Sequence, residues 1–180
     1  PEIIRQTLNS TKSGDIIIYA DAGCTLNFVN ESNDNFQKYI ELCNDHDMLR
    51  FQLDHPEWKF TNTKTIKFFK DNYNLKKEHV LSNQLIGTVM FIKNCERTVS
   101  YFNTFFDIID KDNDLITNEY DNIDMSNGFV QHRHDQSILS LLSKVTGLGH
   151  IILDETYPNN PNFPNWDESY KFPILATRKR

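Results

Sequence analysis

Gly14-Asp15-Ile16-Ile17-Ile18-Tyr19-Ala20-Asp21-Ala22-Gly23-Cys24 decides how the rest of this chain is read. Its centre, Ile16 to Ala20, is apolar without alternation, the pattern of a strand covered on both faces rather than one. That predicts a central strand of a parallel sheet with helices above and below. Asp21-Ala22-Gly23 then breaks the run where such a strand must turn.

The flanks fit the same plan. Before the strand, Ile3, Ile4 and Leu8 recur at helical spacing between Pro1 and about Lys12, and Ser13-Gly14 stops the helix. After it, Phe36, Tyr39, Ile40 and Cys43 recur at i, i+3, i+4 and i+7, predicting an amphipathic helix from Ser32 to about Asp45 and a strand from Met48 to Leu53. A short helix over Thr63 to Asn72, a turn at His79 to Leu81 and a second apolar strand over Gly87 to Ile92 follow. Val99, Phe102, Phe106 and Ile109 mark a helix from Glu96 to Asp110. Asp110 to Gly128 is rich in Asp and Asn and reads as an extended surface loop, and long loops in compact domains are often functional. Ile138, Leu141, Leu142 and Val145 place a helix over Gln136 to Val145, closed by Gly147 and Gly149, before a last strand at His150 to Leu153. Tyr157 to Pro173 reads as an irregular tail. Alternating strands and helices predict an α/β fold, with two-layer α+β as the fallback.

At 180 residues the chain is the size of a single domain, residues 1–180. A formal net charge of −6, with no basic block before Arg178-Lys179-Arg180, argues against a nucleic-acid partner, whose phosphates require a basic surface. Three cysteines, Cys24, Cys43 and Cys95, form no paired spacing, so neither a disulfide framework nor a zinc cluster is indicated, and a reducing, cytoplasmic setting is expected. No apolar run reaches the roughly 18 to 20 residues that cross a bilayer, so no integral membrane segment is expected. Asn9-Ser10-Thr11 and Asn30-Glu31-Ser32 match glycosylation sequons, which an Asn-rich chain produces by chance.

Two constellations could carry chemistry. In open α/β sheets, ligands bind beyond the carboxyl ends of strands, so Asp21, followed by the small Ala22 and by Gly23, is placed to hold a divalent cation. Hard cations such as Mg²⁺ and Mn²⁺ take oxygen ligands and bridge to phosphates. The competing interpretation is an ordinary turn. His132-Arg133-His134-Asp135-Gln136-Ser137 opens a helix whose positive N-terminus favours anions, and it concentrates groups that bind anions or move protons. There the competing interpretation is a capped helix with Arg133 paired to an acid. Glu57-Trp58-Lys59 and Ser82-Asn83-Gln84 could serve a sugar, or be plain turns. Phosphate loops, nucleophile elbows and zinc-protease motifs do not occur in the sequence.

In this order, Gly14 to Cys24, Ser82-Asn83-Gln84 and His132 to Ile138 resemble a family of small GT-A-type glycosyltransferase-like proteins. Pro173-Ile174-Leu175-Ala176-Thr177-Arg178 is similar to their closing segment. The resemblance implies a GT-A-like sheet that is mixed but mostly parallel, with a nucleotide-binding βαβ unit expected before Pro1 and lost by truncation here. It implies a nucleoside-diphosphate-sugar donor and a glycan or other hydroxyl acceptor. Asp21 would hold Mn²⁺ or Mg²⁺ in place of the Asp-x-Asp element, with Gly23 standing where the second carboxylate belongs. Ala22, Gly23, Gln84, Arg133, His134 and Gln136 would line the donor and acceptor sites, and Asp135 would deprotonate the acceptor. A nucleotidyltransferase on a similar fold and a catalytically degenerate glycan-binding domain are the alternatives.

Overall fold

The computed structural model describes residues 1–119, 128–157 and 166–177, less the side chains of residues 30, 166 and 167. In chain order the elements are α1 (Glu2–Ser10), β1 (Ile16–Ala20), β2 (Thr25–Leu26), α2 (Asn30–His46), β3 (Met48–Pro56), α3 (Glu57–Phe60), α4 (Thr63–Tyr73), α5 (Lys77–Leu81), β4 (Asn83–Leu85), β5 (Val89–Lys93), α6 (Glu96–Lys111), α7 (His134–Thr146), β6 (His150–Leu153) and β7 (Ile174–Leu175). Short 3-10 turns lie at Asn113–Ile116 and Trp166–Lys171. The second falls in the stretch expected to be irregular. Part of the predicted 110–128 loop, residues 120–127, and part of the tail, residues 158–165, lie outside the described residues, as do the last three residues.

The sheet is α/β and mixed, but it is not mostly parallel. β5 pairs antiparallel with both β1 and β3, β4 pairs antiparallel with β3 beside β5, and only β6 lies parallel to β3. Two further strands, β2 and β7, form an antiparallel pair. β1 is also not central, because among the described residues its sole neighbour is β5. The sequence pattern misled for a physical reason: an unbroken apolar run reports cover on both faces and carries no information about strand direction. Cover is present. Met90 and Ile92 of β5 pack with α1, α6 and α7, while Val89 and Phe91 on the opposite face pack with Tyr39 and Cys43 of α2.

One consequence positions the site. Because β5 runs against both β1 and β3, and β6 runs with β3, strands β1, β3 and β6 all point the same way. Asp21 and Asp154, which follow β1 and β6, and Asp54, two residues before the end of β3, therefore lie toward one edge of the sheet.

Local chemistry explains the element ends. Asn62 accepts the Thr65 N–H at 2.9 Å and caps α4. Gly147, at φ +63°, ends α7 in the left-handed region that glycine enters without strain. Asp47 does the same at the end of α2 with φ +65°, at a cost that Asp tolerates better than most side chains.

Candidate functional site

At the end of β1 the chain is held from both sides. The Asp21 N–H donates to the Thr88 carbonyl at 2.9 Å, and Cys24 N–H returns to the Asp21 carbonyl at 2.9 Å, closing a turn. Asp21 and Ala22 are exposed and Gly23 is half-buried, its carbonyl accepting from Thr177 Oγ1 at 3.4 Å. The Asp21 side chain is fixed by one strong contact, Tyr19 Oη donating to Oδ1 at 2.7 Å. Burial pushes the Tyr19 phenol above its ordinary range, and Asp21 and then Asp135 push it further. Tyr19 thus stands in the field of both carboxylates.

The start of α7 reaches the same corner through the Gly87-Thr88 link. Gln136 Oε1 accepts the Gly87 N–H at 2.9 Å, one residue from the carbonyl that holds Asp21. A Cβ at Gly87 would stand 3.2 Å from the Gln136 Cβ, so this glycine permits the close approach. Gln136 Nε2 donates to Gln84 Oε1 at 2.8 Å, uniting two residues singled out separately in the sequence. Asp135 is exposed, with Oδ1 accepting its neighbour's N–H from Gln136 at 2.9 Å.

Other members of the His132 to Gln136 run are placed differently. His132 is buried and structural: Nδ1 accepts the Asn62 N–H at 3.3 Å and Nε2 meets the Leu115 carbonyl at 2.8 Å. His134 takes φ +47°, a left-handed conformation unusual for a residue other than glycine, with its Nε2 2.7 Å from Asn118 Oδ1. The Arg133 guanidinium lies over Phe60 at 4.1 Å, and Phe60 stacks on His55 at 4.8 Å. This stack links the end of β3 to the start of α7.

Gln84, expected to line the donor or acceptor site, is instead wholly buried, because it belongs to an internal hydrogen-bond network. Its Nε2 donates to Glu57 Oε1 at 2.9 Å and to Ser137 Oγ at 3.2 Å. Glu57, 0% exposed, also accepts from Thr61, Ser140 and Lys144, the last at 2.7 Å. Desolvation lowers the Lys144 pKa, and Glu57 opposes that shift. The signal that could have revealed this was Ser137, Ser140 and Lys144, three polar residues at helical spacing along the buried face of α7.

Sequence reading also missed the other two strand ends. Asp154 is 2% exposed, with Oδ1 bonded to Thr156 and Oδ2 buried without a hydrogen-bond partner. Burial raises its pKa, and the nearby Asp54 adds to the shift while His55 opposes it. His55 Nδ1 in turn lies 2.8 Å from Asp54 Oδ1.

The described residues contain no group of three His, Cys, Asp or Glu side chains able to enclose a metal ion. An open site is still compatible with Asp21, since Mg²⁺-type cations are commonly held by one or two carboxylates plus substrate phosphates and waters. Asp21 has an exposed carboxylate with one oxygen anchored. No helix among the described residues is long and apolar enough to cross a membrane. No family model matches the chain, and comparisons with curated proteins and with solved structures yield no match.

Proposed function

We propose that this chain is a GT-A-like glycosyltransferase domain that moves a sugar from a nucleoside-diphosphate sugar to a hydroxyl acceptor, in the cytoplasm. The observation that carries the reading is the hydrogen-bonded link that sets the start of α7, where Asp135 lies, against the Gly87-Thr88 segment that anchors Asp21, at the side of the sheet where β1, β3 and β6 end.

Asp21 would hold Mn²⁺ or Mg²⁺, and the cation would neutralise charge on the departing diphosphate. Arg133, set over Phe60, presents a planar cation suited to phosphate oxygens. Gln136, held from beneath by buried Gln84, and the backbone at Ala22 and Gly23 would contact the donor or acceptor together with His134. In an inverting transfer the acceptor oxygen bonds to the anomeric carbon while the bond from that carbon to the diphosphate breaks. Asp135 takes the acceptor proton, and the nucleoside diphosphate leaves with the electron pair.

The test is release of nucleoside diphosphate from UDP-glucose, UDP-galactose and GDP-mannose with Mn²⁺, in the protein and in D21A and D135N. Activity lost in both variants supports the reading. Undiminished turnover in both removes it. Release of pyrophosphate from a nucleoside triphosphate and a sugar phosphate would instead identify a nucleotidyltransferase. Gly23, standing where a second carboxylate would, favours a glycan-binding domain without turnover as the second reading; glycan binding without cation-dependent nucleotide-sugar binding would establish it.

A further inference from the structure

Asp154 is seated in a way that suits only one of its proton states. It directly follows β6 and is 2% exposed, and its Oδ1 accepts both the Thr156 N–H at 2.8 Å and the Thr156 hydroxyl at 2.7 Å. Oδ2 is buried with no hydrogen-bond partner. With both donors on Oδ1, a proton on this carboxyl sits on Oδ2. The neutral group then leaves one hydroxyl unpaired, whereas the ionised group strands negative charge away from any donor or water, which costs far more. Among the described residues, the ionisable groups acting on Asp154 are Asp54 and His55 of β3, which pair with each other. Glu155 and Tyr39 of α2, bonded to one another, feel its charge in turn.

The turn that Asp154 opens is tied to the last strand. Thr156, 1% exposed, accepts the Ala176 N–H on its carbonyl at 2.5 Å, and Ala176, 3% exposed, directly follows β7. β7 pairs with β2, while Thr177 Oγ1 lies 2.7 Å from Thr25 Oγ1 and donates to the Gly23 carbonyl at 3.4 Å. One hydrogen-bonded chain thus runs from Asp154 through Thr156 and β7 to the turn after β1. We propose that Asp154, Thr156 and β7 form a proton-controlled latch, closed while the Asp154 carboxyl keeps its proton and opened at the Thr156–Ala176 bond when it loses it, so that water reaches Oδ2. The latch goes beyond the glycosyltransferase reading and does not depend on it. Burial gives the direction: desolvation raises the Asp154 pKa, the Thr156 hydrogen bonds and His55 oppose the shift, and Asp54 adds to it. The closed form therefore keeps its proton above the ordinary Asp value of 3.8, so opening grows as pH rises from there through the raised value and levels off beyond it.

The Ala176 amide reports the latch directly, and its hydrogen exchange can be followed by NMR in the full chain. Corrected for intrinsic exchange, its rate should rise by up to about tenfold per pH unit within that window and then level off. Low urea should leave this rate unchanged, the mark of a local opening, while exchange at Phe105 and Ile108 in the α6 core accelerates with urea. Asp154→Asn keeps the shape and cannot ionise, so Ala176 should stay protected at every pH. Asp54→Asn, at an exposed position, removes a charge that favours the proton and should shorten the rise; it decides the matter if the Asp154 variant does not fold. An Ala176 rate that ignores pH in the wild type overturns the latch. So does a rise that Asp154→Asn retains, or one that Asp54→Asn leaves untouched when the Asp154 variant is unfolded. Exchange at Ala176 that climbs with urea in step with Phe105 and Ile108 shows opening by global unfolding alone, and overturns it too.

Discussion

Gln136 donates its amide to the Gln84 carbonyl oxygen at 2.8 Å, while its own oxygen accepts the Gly87 N–H at 2.9 Å. The first turn of α7 is thereby locked to the β4–β5 link that also anchors Asp21 through Thr88. Gln84 is the buried end of this clamp and Gln136 its half-exposed end.

Removing either amide should cost different amounts. Gln84→Ala strips a partner from buried Glu57 and Ser137 and should destabilise by about 2 kcal/mol, whereas Gln136→Ala should cost about 1 kcal/mol. A double-mutant cycle by urea denaturation should return a coupling of about 1 kcal/mol. Strict additivity would mean that the two amides act independently.

Gly87→Ala tests the closeness of α7 to the sheet edge. The added methyl would lie 3.2 Å from the Gln136 Cβ and 3.4 Å from its Oε1, forcing the side chain to give way. Stability should fall by about 1 kcal/mol, and nucleotide-sugar turnover should fall further than stability alone explains, as Asp135 moves with its neighbour. Full turnover in a folded variant would show that this approach is dispensable.

The Glu57–Lys144 pair is buried, with side chains 0% and 5% exposed. Lys144→Met should cost about 3 kcal/mol, because it leaves a carboxylate uncompensated in the core. Glu57→Gln combined with Lys144→Met should recover part of that loss, since both charges are then gone. A single-variant loss below about 1 kcal/mol by denaturation would contradict the pair's burial as the source of its energetics.

Asp154 and Glu155 set the expected pH dependence. Burial raises both carboxyl pKa values in the folded chain, with the hydrogen bond from Tyr39 to Glu155 working against the shift. Between the ordinary Asp value of 3.8 and the raised folded value, the folded state holds more protons than the unfolded one, so stability falls as pH rises through that window and levels off above it. Asp154→Asn should flatten the slope, measured as urea midpoints across pH. An unchanged slope would assign the dependence to other groups.

Much of the architecture was readable from periodicity. The helices predicted over Ser32 to Asp45, Glu96 to Asp110 and Gln136 to Val145 appear as α2, α6 and α7 with ends shifted by no more than two residues. Their apolar faces recur every three or four residues because they meet a sheet. The short strands β2, β4 and β7 went unpredicted, since two or three residues carry no measurable period. In the candidate site, Gln84 and Gln136 were both singled out and they do meet, whereas Glu57, legible as a sugar contact or a plain turn, is neither and is fully buried. Its burial depends on α7 bringing Ser140 and Lys144 against α3, a contact between residues more than 80 positions apart.

The sequence by itself determined the long helices and the main strands, because hydrophobic spacing is a local property of the chain. Strand direction, the edge position of β1, the approach of Gln136 to the Gly87-Thr88 anchor of Asp21 and the burial of Asp154 were decided only by the tertiary structure. Each depends on hydrogen-bond pairing, or on solvent exclusion by segments remote in sequence, and neither leaves a mark on local composition.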